Sequence, residues 1–253
     1  MRIDLNSDMG ESFGAWKMGD DAAMLEIVSS ANVACGWHAG DPMVMFKTCE
    51  IAKKNGVAIG AHPSFNDRDG FGRRVIRGDS MADIEKMVAY QIGALQAIAT
   101  MVGHKVTHVK AHGALGNLIN EEDDISNAVA RAVKAVDPNL WFVTMPGRNT
   151  EPVAEKLGLR QAREFFADRT YDDNGQLTSR KKEGAVIHDA VYAAERVART
   201  LGEAAITTVT GKKIKVAIDT ICVHGDTPAA VAMASAVRKR LEKDGYTIKP
   251  FIA

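Results

Sequence analysis

Short apolar runs alternate with helix-like segments along the chain. Seven runs, mostly apolar and bounded by Gly, Pro, Asp or Asn, predict short strands at 3–5, 31–34, 57–61, 107–110, 141–144, 164–167 and 217–223. A segment with helical spacing follows each run, at 21–28, 42–54, 81–101, 123–136, 150–157, 189–201 and 228–243. This alternation predicts an α/β protein whose parallel sheet is wound with helices.

Polar clusters follow six of the apolar runs. They read DLNSDMGE (4–11), NVACGWHAGDP (32–42), AHPSFNDRDGFGRR (61–74), VKAHGALGN (109–117), EFFADRTYDDNG (164–175) and ICVHGDTP (221–228). An α/β barrel builds its active site from many segments at the C-terminal ends of its strands. The clusters therefore predict an enzyme, and they favour a closed or nearly closed barrel over an open sheet with one crevice.

Length and charge narrow the class of protein. The 253 residues suit one barrel domain, 1–253, of the usual size of about 250 residues. Lys+Arg and Asp+Glu are equal at 32 each, so we expect a small-molecule ligand and neither nucleic acid nor an anionic membrane. The chain starts without an apolar signal core, and its three cysteines lack a CxxC spacing. We expect a cytoplasmic protein with reduced thiols.

Four histidines, His38, His62, His112 and His224, each lie just past a strand-like run. An imidazole there can transfer protons, bind a metal or donate to an oxyanion, whereas a lone histidine in an apolar run is more often a satisfied core residue. No HxxxH or HxxE pair lies on a predicted helix to provide a specific ligand spacing, so the presence of a metal stays open.

Carboxylates and amides are spaced so that they can leave the first strand in one direction. Asn6 and Asp8 are two residues apart, which places both on one face of a strand, pointing into the barrel mouth. Two nearby carboxylates can divide the duties of general acid and base. Asp4 and Glu11 fit surface caps or bridges as well as they fit a site.

Cationic residues appear without the usual nucleotide-binding motifs. Neither GxGxxG nor GxxxxGKS/T occurs. Arg68, Arg73 and Arg74 lie in a glycine-containing loop and can fork onto carboxylate or phosphate oxygens, unless the loop is simply solvated. Lys110 leaves an apolar strand, where its charge is costly without an anionic partner or substrate.

The six clusters together resemble the successive motifs of the LamB/YcsF family. The resemblance runs in order from Asp4 to Pro228, nearly the whole chain. Three positions depart from the family pattern: Ala111 stands where proline is usual, Gly116 where tyrosine is usual, and Trp37 where phenylalanine is usual. The first two put the wall contacts of the fourth motif in doubt and leave Lys110 and His112 in place.

The resemblance implies a seven-stranded parallel β/α barrel similar to the glycoside hydrolase/deacetylase superfamily. It also implies hydrolysis of the 5-oxoproline lactam to L-glutamate coupled to ATP hydrolysis, together with separate B and C subunits. Since the chain lacks nucleotide motifs, we expect the partner subunits to handle ATP. The predicted catalytic residues are Asp8, His62, His112 and Asp168, with Asp8 or Asp168 as general base. The predicted substrate-binding residues are Asn6, Glu11, Asn32, His38, Arg68, Arg73, Lys110, Asn117, Arg169 and His224.

Two other classes of function use the same pattern. A metal-dependent carbohydrate deacetylase would use Asp8, His38 and His62 as ligands. A non-catalytic small-molecule-binding or regulatory protein would need the same pocket but would tolerate loss of the carboxylates.

Overall fold

Seven parallel strands close into a barrel in the computed structural model, which describes residues 1–225 and 229–252. The barrel strands are β1 (Arg2–Met9), β2 (Ser30–Ala34), β3 (Ala58–His62), β4 (Val106–Val109), β5 (Trp141–Thr144), β6 (Arg160–Phe166) and β9 (Thr220–Cys222). Neighbours in that order pair in parallel, and β9 pairs with β1 to complete the ring. The predicted seven-stranded β/α barrel is confirmed.

Three short strands lie outside the ring. β7 (Ala205–Thr207) and β8 (Lys213–Lys215) form an antiparallel pair, and β10 (Thr247–Ile248) adds to the start of β1. None of the three was predicted, because each has only two or three residues and carries no apolar alternation of its own.

The helices are α1 (Asp21–Met24), α2 (Pro42–Lys54), α3 (Met81–Met101), α4 (Gly113–Ile119), α5 (Asp123–Val136), α6 (Thr150–Leu157), α7 (Ala190–Glu203) and α8 (Ala230–Lys243). The predicted bounds of α2, α3, α5 and α6 match those observed. The predicted start of α8 at Pro228 and the end of the sixth cluster fall on residues 226–228, which lie outside the described residues.

Local chemistry fixes where the helices begin. Asp41 caps α2, because its Oδ1 accepts from the N–H groups of Met43 and Val44 at 2.9 Å, and Pro42 needs no N–H in the first turn. Ser80 caps α3 in the same way through the N–H of Asp83. No helix in the described ranges is long and apolar enough to cross a membrane.

Polar side chains fill the barrel interior. Asp4, Asn6 and Asp8 alternate along β1 with buried Leu5 and Met9 and contact the facing strands inside the ring. The sequence pattern ended the first strand at Leu5, whereas β1 runs to Met9, since these polar residues satisfy one another inside the barrel instead of facing water. The strand ends therefore deliver polar groups to one end of the barrel.

Candidate active site

A cavity of about 490 Å³ opens at the C-terminal ends of the barrel strands. Residues from the first, third, fourth, fifth and sixth polar clusters line it, with the loop around Ser179 on one side. The lining includes Asp8, Glu11, His62, Arg73, Lys110, His112, Asn117, Glu164, Arg169 and His224. The structure therefore brings together most of the side chains that the sequence singles out.

Asp8 lies between cations and hydrogen-bond donors. Its Oδ1 accepts from Lys110 Nζ and from Asn32 Nδ2, each at 2.9 Å, and its Oδ2 lies 3.3 Å from His62 Nε2. Burial pushes the pKa of Asp8 upward, but His62 and Lys110 outweigh it and leave that pKa well below its usual range. Asp8 is therefore ionised and a weak proton acceptor.

Lys110 is compensated by two carboxylates of the protein itself. Its Nζ lies 2.9 Å from Asp8 Oδ1 and 2.8 Å from Glu164 Oε1, and it also donates to Cys222 Sγ at 3.1 Å. Burial lowers the pKa of Lys110, but Asp8, followed by Cys222 and Glu164, raises it well above the usual value. The anionic partner that the sequence demands for Lys110 thus lies within the chain.

His62 and His112 share a proton. His62 Nδ1 lies 2.7 Å from the Lys110 carbonyl and His112 Nε2 lies 2.8 Å from the Phe71 carbonyl, so each of these nitrogens is a donor. The remaining nitrogens, His62 Nε2 and His112 Nδ1, are 3.0 Å apart, and one of them must donate to the other. Burial, followed by the charges of His38 and His62, holds the pKa of His112 well below its usual value. The pair therefore holds one proton between its two facing nitrogens.

His38 lies behind this pair and does not line the cavity. Its ring stacks on His112 with centroids 3.8 Å apart, and its Nε2 is 3.6 Å from Glu11 Oε1. Neither ring nitrogen of His38 has a hydrogen-bond partner among the described residues. Burial, followed by His62, holds the pKa of His38 well below its usual value, so the ring is neutral.

Asp168 and His224 form a second proton-handling unit. Asp168 Oδ2 accepts from His224 Nδ1 at 2.7 Å, which leaves His224 Nε2 facing the cavity, 3.9 Å from Asp8 Oδ2. Burial raises the pKa of Asp168, but His224 more than offsets it, and the pKa lies below its usual value. An ionised carboxylate behind an imidazole is the arrangement that orients a histidine base.

The loop 67–74 contacts His112 through a backbone carbonyl. The buried Asp67 accepts from the N–H groups of Gly70 and Arg74, and this fold presents the Phe71 carbonyl to His112. A Cβ at Gly72 would come within 2.3 Å of Ser64 Oγ and 2.8 Å of His112 Cδ2. Glycine is required there to let the loop approach the histidine closely.

Several predicted site residues lie elsewhere. Arg68 is absent from the cavity lining; its guanidinium packs 3.8 Å over the Phe13 ring and donates to the Gly36 carbonyl. Asn6 and Asn32 lie beneath Asp8, where Asn32 Nδ2 bridges to Asn6 Oδ1 at 2.8 Å. The alternative that Asp4 and Glu11 are surface caps is wrong, since both are buried in the barrel.

Other cavity residues were missed. Glu164 belongs to the fifth cluster, and its position at the end of an apolar run was a usable signal. Arg180 and Gln176 come from an irregular segment whose path the sequence does not indicate. Ala111 and Gly116, which depart from the family motif, both line the cavity.

Three ligand atoms could also hold a divalent cation. An oxygen of Asp8 and one nitrogen each of His62 and His112 lie within 4.8 Å of one another. Both imidazoles donate their other N–H to a backbone carbonyl, the arrangement that orients metal-binding histidines. These residues therefore fit a metal at the position of the shared proton.

Fold and site together place the chain among β/α barrels with a buried carboxylate and histidine cluster at the strand ends. The catalytic domain of a peptidoglycan N-acetylglucosamine deacetylase from Eubacterium rectale shares this fold, with a TM-score of 0.52 at 9% identity over 98% of this chain and 87% of that one. The sequence profile of the LamB/YcsF family matches residues 3–253. The chain belongs to the LamB/YcsF family.

Similar proteins bear names that concern lactams. A relative from Rhodopseudomonas palustris (strain BisB5), named as the A subunit of 5-oxoprolinase, is 58% identical over 251 residues, 99% of each chain. The crystal structure of a lactam utilization protein from Thermus thermophilus superimposes with a TM-score of 0.92 at 42% identity, covering 98% of this chain and 99% of that one. The family resemblance in the sequence is thereby confirmed.

Proposed function

We propose that this chain is the A subunit of an ATP-dependent 5-oxoprolinase and hydrolyses the lactam of 5-oxoproline to L-glutamate together with B and C subunits. The observation that carries the proposal is the pairing, in one cavity, of an oriented histidine base with two histidines that hydrogen-bond to each other. The names of the relatives and of the Thermus thermophilus structure support it. The need for ATP favours a cytoplasmic location.

The chemistry of the substrate indicates which subunits activate the lactam and which one hydrolyses it. A five-membered lactam is an unactivated amide, and its hydrolysis needs a strong electrophile or prior activation, such as phosphorylation of the amide oxygen. This sequence carries neither a P-loop nor a dinucleotide motif. The B and C subunits supply the ATP-dependent activation, and the barrel holds the activated ring and directs water onto it.

The residues divide into acid and base. His224 Nε2 takes a proton from water, and Asp168 holds its tautomer and stabilises the imidazolium that forms. Asp8 faces the His62 and His112 pair, and the proton between the two rings stabilises the oxyanion or is donated to the departing ring nitrogen. Lys110 fixes Asp8 in place. The general base thus becomes His224 assisted by Asp168, with Asp8 in an electrostatic role.

A divalent metal ion would bind among the same residues. Asp8, His62 and His112 would hold it, and when bound it would polarise a carbonyl or lower the pKa of a water molecule. His224 and Asp168 keep their role as base in either case.

Glutamate release tests the proposal. The chain, combined with B and C subunits, 5-oxoproline and ATP, is expected to release glutamate. Absence of glutamate from the complete mixture would contradict the proposed function.

A metal-dependent deacetylase of acetylated sugars is the second candidate, favoured by the Asp8, His62 and His112 ligand set. It predicts a bound metal and acetate release from acetylated chitooligosaccharides that a chelator abolishes. A third possibility, a non-catalytic binding protein, predicts that Asp8→Asn leaves turnover of the assembled complex unchanged.

A further inference from the structure

Arg169 is a buried cation that faces the cavity. It follows β6 by three residues, is 6% exposed and lines the cavity wall. Its Nε donates to the Ala185 carbonyl at 3.2 Å and its Nη2 to the Thr178 carbonyl at 2.6 Å. Within residues 1–225 and 229–252, Arg169 forms no ion pair with a carboxylate, and its Nη1 has no hydrogen bond.

Two more guanidinium groups gather near Arg169. Arg180 and Arg73 both line the cavity. Burial, joined by the repulsion of Arg180 and then Arg73, lowers the pKa of Arg169 to about 10. Arg180 makes no hydrogen bond or ion pair with the described part of the chain. Three cations on three different segments thus face one space.

A buried cation such as Arg169 is costly unless an anion accompanies it, whereas Arg180 and Arg73 are exposed side chains. A desolvated charge without a partner loses hydration that carbonyl groups alone do not replace. Lys110 cannot serve as the anion-binding cation, since Asp8 and Glu164 already compensate it. The planar fork of a guanidinium matches the two oxygens of a carboxylate. The arginines therefore indicate an anionic group of the ligand.

We propose that Arg169 and Arg180 form the subsite for the ring carboxylate of the lactam substrate. This inference rests on the proposed function and adds the part of the substrate that the cavity recognises. Thr178 and Ala185 lie in the same segment as Arg180, so Arg169 also ties that segment to the cavity wall. The substrate carboxylate then bridges Arg169, which follows β6, and Arg180 in the segment 178–185.

Binding by the whole chain, measured by calorimetry, tests the subsite. The probes are 5-oxoproline and 2-pyrrolidinone, which is the same lactam without the carboxylate. Wild-type protein is expected to bind 5-oxoproline at least about tenfold more tightly. Arg180→Gln and Arg169→Gln should lose most of that ratio while leaving 2-pyrrolidinone binding unchanged. Arg160→Gln, at the exposed opposite end of β6, is the matched control and should keep the ratio.

The binding measurements distinguish failure of the subsite from failure of the carboxylate assignment and of the proposed function. Because Arg180 makes no described hydrogen bond or ion pair, its variant stays informative even where Arg169→Gln disturbs folding. A ratio that survives in Arg180→Gln and in folded Arg169→Gln would overturn the subsite. Equal binding of both lactams, with inorganic phosphate competing only in wild-type protein, would overturn the carboxylate assignment in favour of a phosphoryl group. Failure of the proposed function is read separately, as absence of glutamate release by the chain with its partner subunits.

Discussion

Two aspartates on one face of β1 show how neighbours set the behaviour of a residue. Asp4 and Asp8 are both buried inside the barrel. The hydroxyls of Ser29, Ser30 and Thr220 surround Asp4, and burial raises its pKa to about 6. Cations surround Asp8 and lower its pKa instead. The same residue type is therefore structural at one end of the strand and electrostatic at the other.

The Asp4 carboxyl makes stability depend on pH. Its folded pKa of about 6 is above the ordinary value of 3.8, so the folded state is favoured by protonation. The stabilisation is fully present below pH 3.8 and is lost as the pH rises through 6. At pH 8 the ionised group costs up to about 3 kcal/mol. Asp4→Asn should raise the free energy of unfolding at pH 8 relative to wild type, and this difference should become smaller at pH 4.5.

Urea denaturation at the two pH values measures this difference. Asp124→Asn removes an exposed carboxylate at the start of α5 and is the matched control. A loss of stability in Asp4→Asn at pH 8 would show that the ionised form is favoured.

In the proposed mechanism Asp168 acts through His224, so its loss should affect turnover more than folding. Asp168→Asn keeps the size of the side chain but no longer fixes the tautomer of His224, so turnover of the assembled enzyme should fall by about a hundredfold or more. Asp189→Asn, at the exposed cap of α7, should keep full activity, since asparagine caps a helix equally well.

The variant Asp8→Asn tests whether Asp8 or Asp168 contributes to the general base. It removes one of the two charges that compensate Lys110, so it should reduce both turnover and stability. Near-full activity of Asp168→Asn alongside an inactive, folded Asp8→Asn would return the role of base to Asp8. Full activity of both variants would contradict the acid and base scheme altogether.

At the scale of elements, the loop 67–74 connects backbone conformation to the active site. Gly72 has φ +63°, and Gly158, which ends α6, has a similar φ of +68° with nothing within 4 Å of its absent Cβ. Alanine at either position costs about 1 kcal/mol for the left-handed conformation. Gly72→Ala should also displace His112, lowering turnover at least about tenfold, because small misplacements of catalytic groups are costly.

Thermal unfolding and turnover of Gly72→Ala and Gly158→Ala, measured side by side, test this role. Gly158→Ala should lose stability and keep its activity. Equal activity of the two variants would show that the loop does not position His112.

The elements that the sequence predicted are those with strong local signals. The barrel strands have apolar outer faces, and helices such as α3 and α5 have periodic apolar stripes, so their existence and class were predictable. The C-terminal part of β1, residues 6–9, was not predicted, because a run such as Asn6, Ser7 and Asp8 is also typical of a strand end facing solvent. The burial of these polar side chains inside the barrel, where Asn32 donates hydrogen bonds to Asn6 and Asp8, depends on the tertiary structure.

The sequence indicated many of the residues that lie at the site, but not how their side chains pair with one another. Strand ends indicated Asp8, His62, Lys110 and His112, since barrel geometry brings them together. The pairing of Asp168 with His224, and the diversion of Arg68 to Phe13, depend on distances across the barrel that no local pattern encodes.

At the scale of the whole molecule, closure of the seven-stranded ring determines the site. β9 pairs with both β6 and β1, which brings Cys222 and His224 beside the ends of the first and sixth strands. Acid, base and cationic groups from distant segments thereby meet in one cavity. The cavity holds groups suited to hydrolysis, and under the proposed function partner subunits activate the lactam.

We propose that this barrel hydrolyses a lactam that partner subunits activate. The direct test is to measure 5-oxoproline-dependent ATP hydrolysis and glutamate release with this chain alone, with the B and C subunits alone, and with all three. The account predicts little or no activity from the chain alone, no glutamate from B and C alone, and both products from the complete mixture. Robust turnover by the isolated chain, or glutamate formed by B and C without it, would contradict the account.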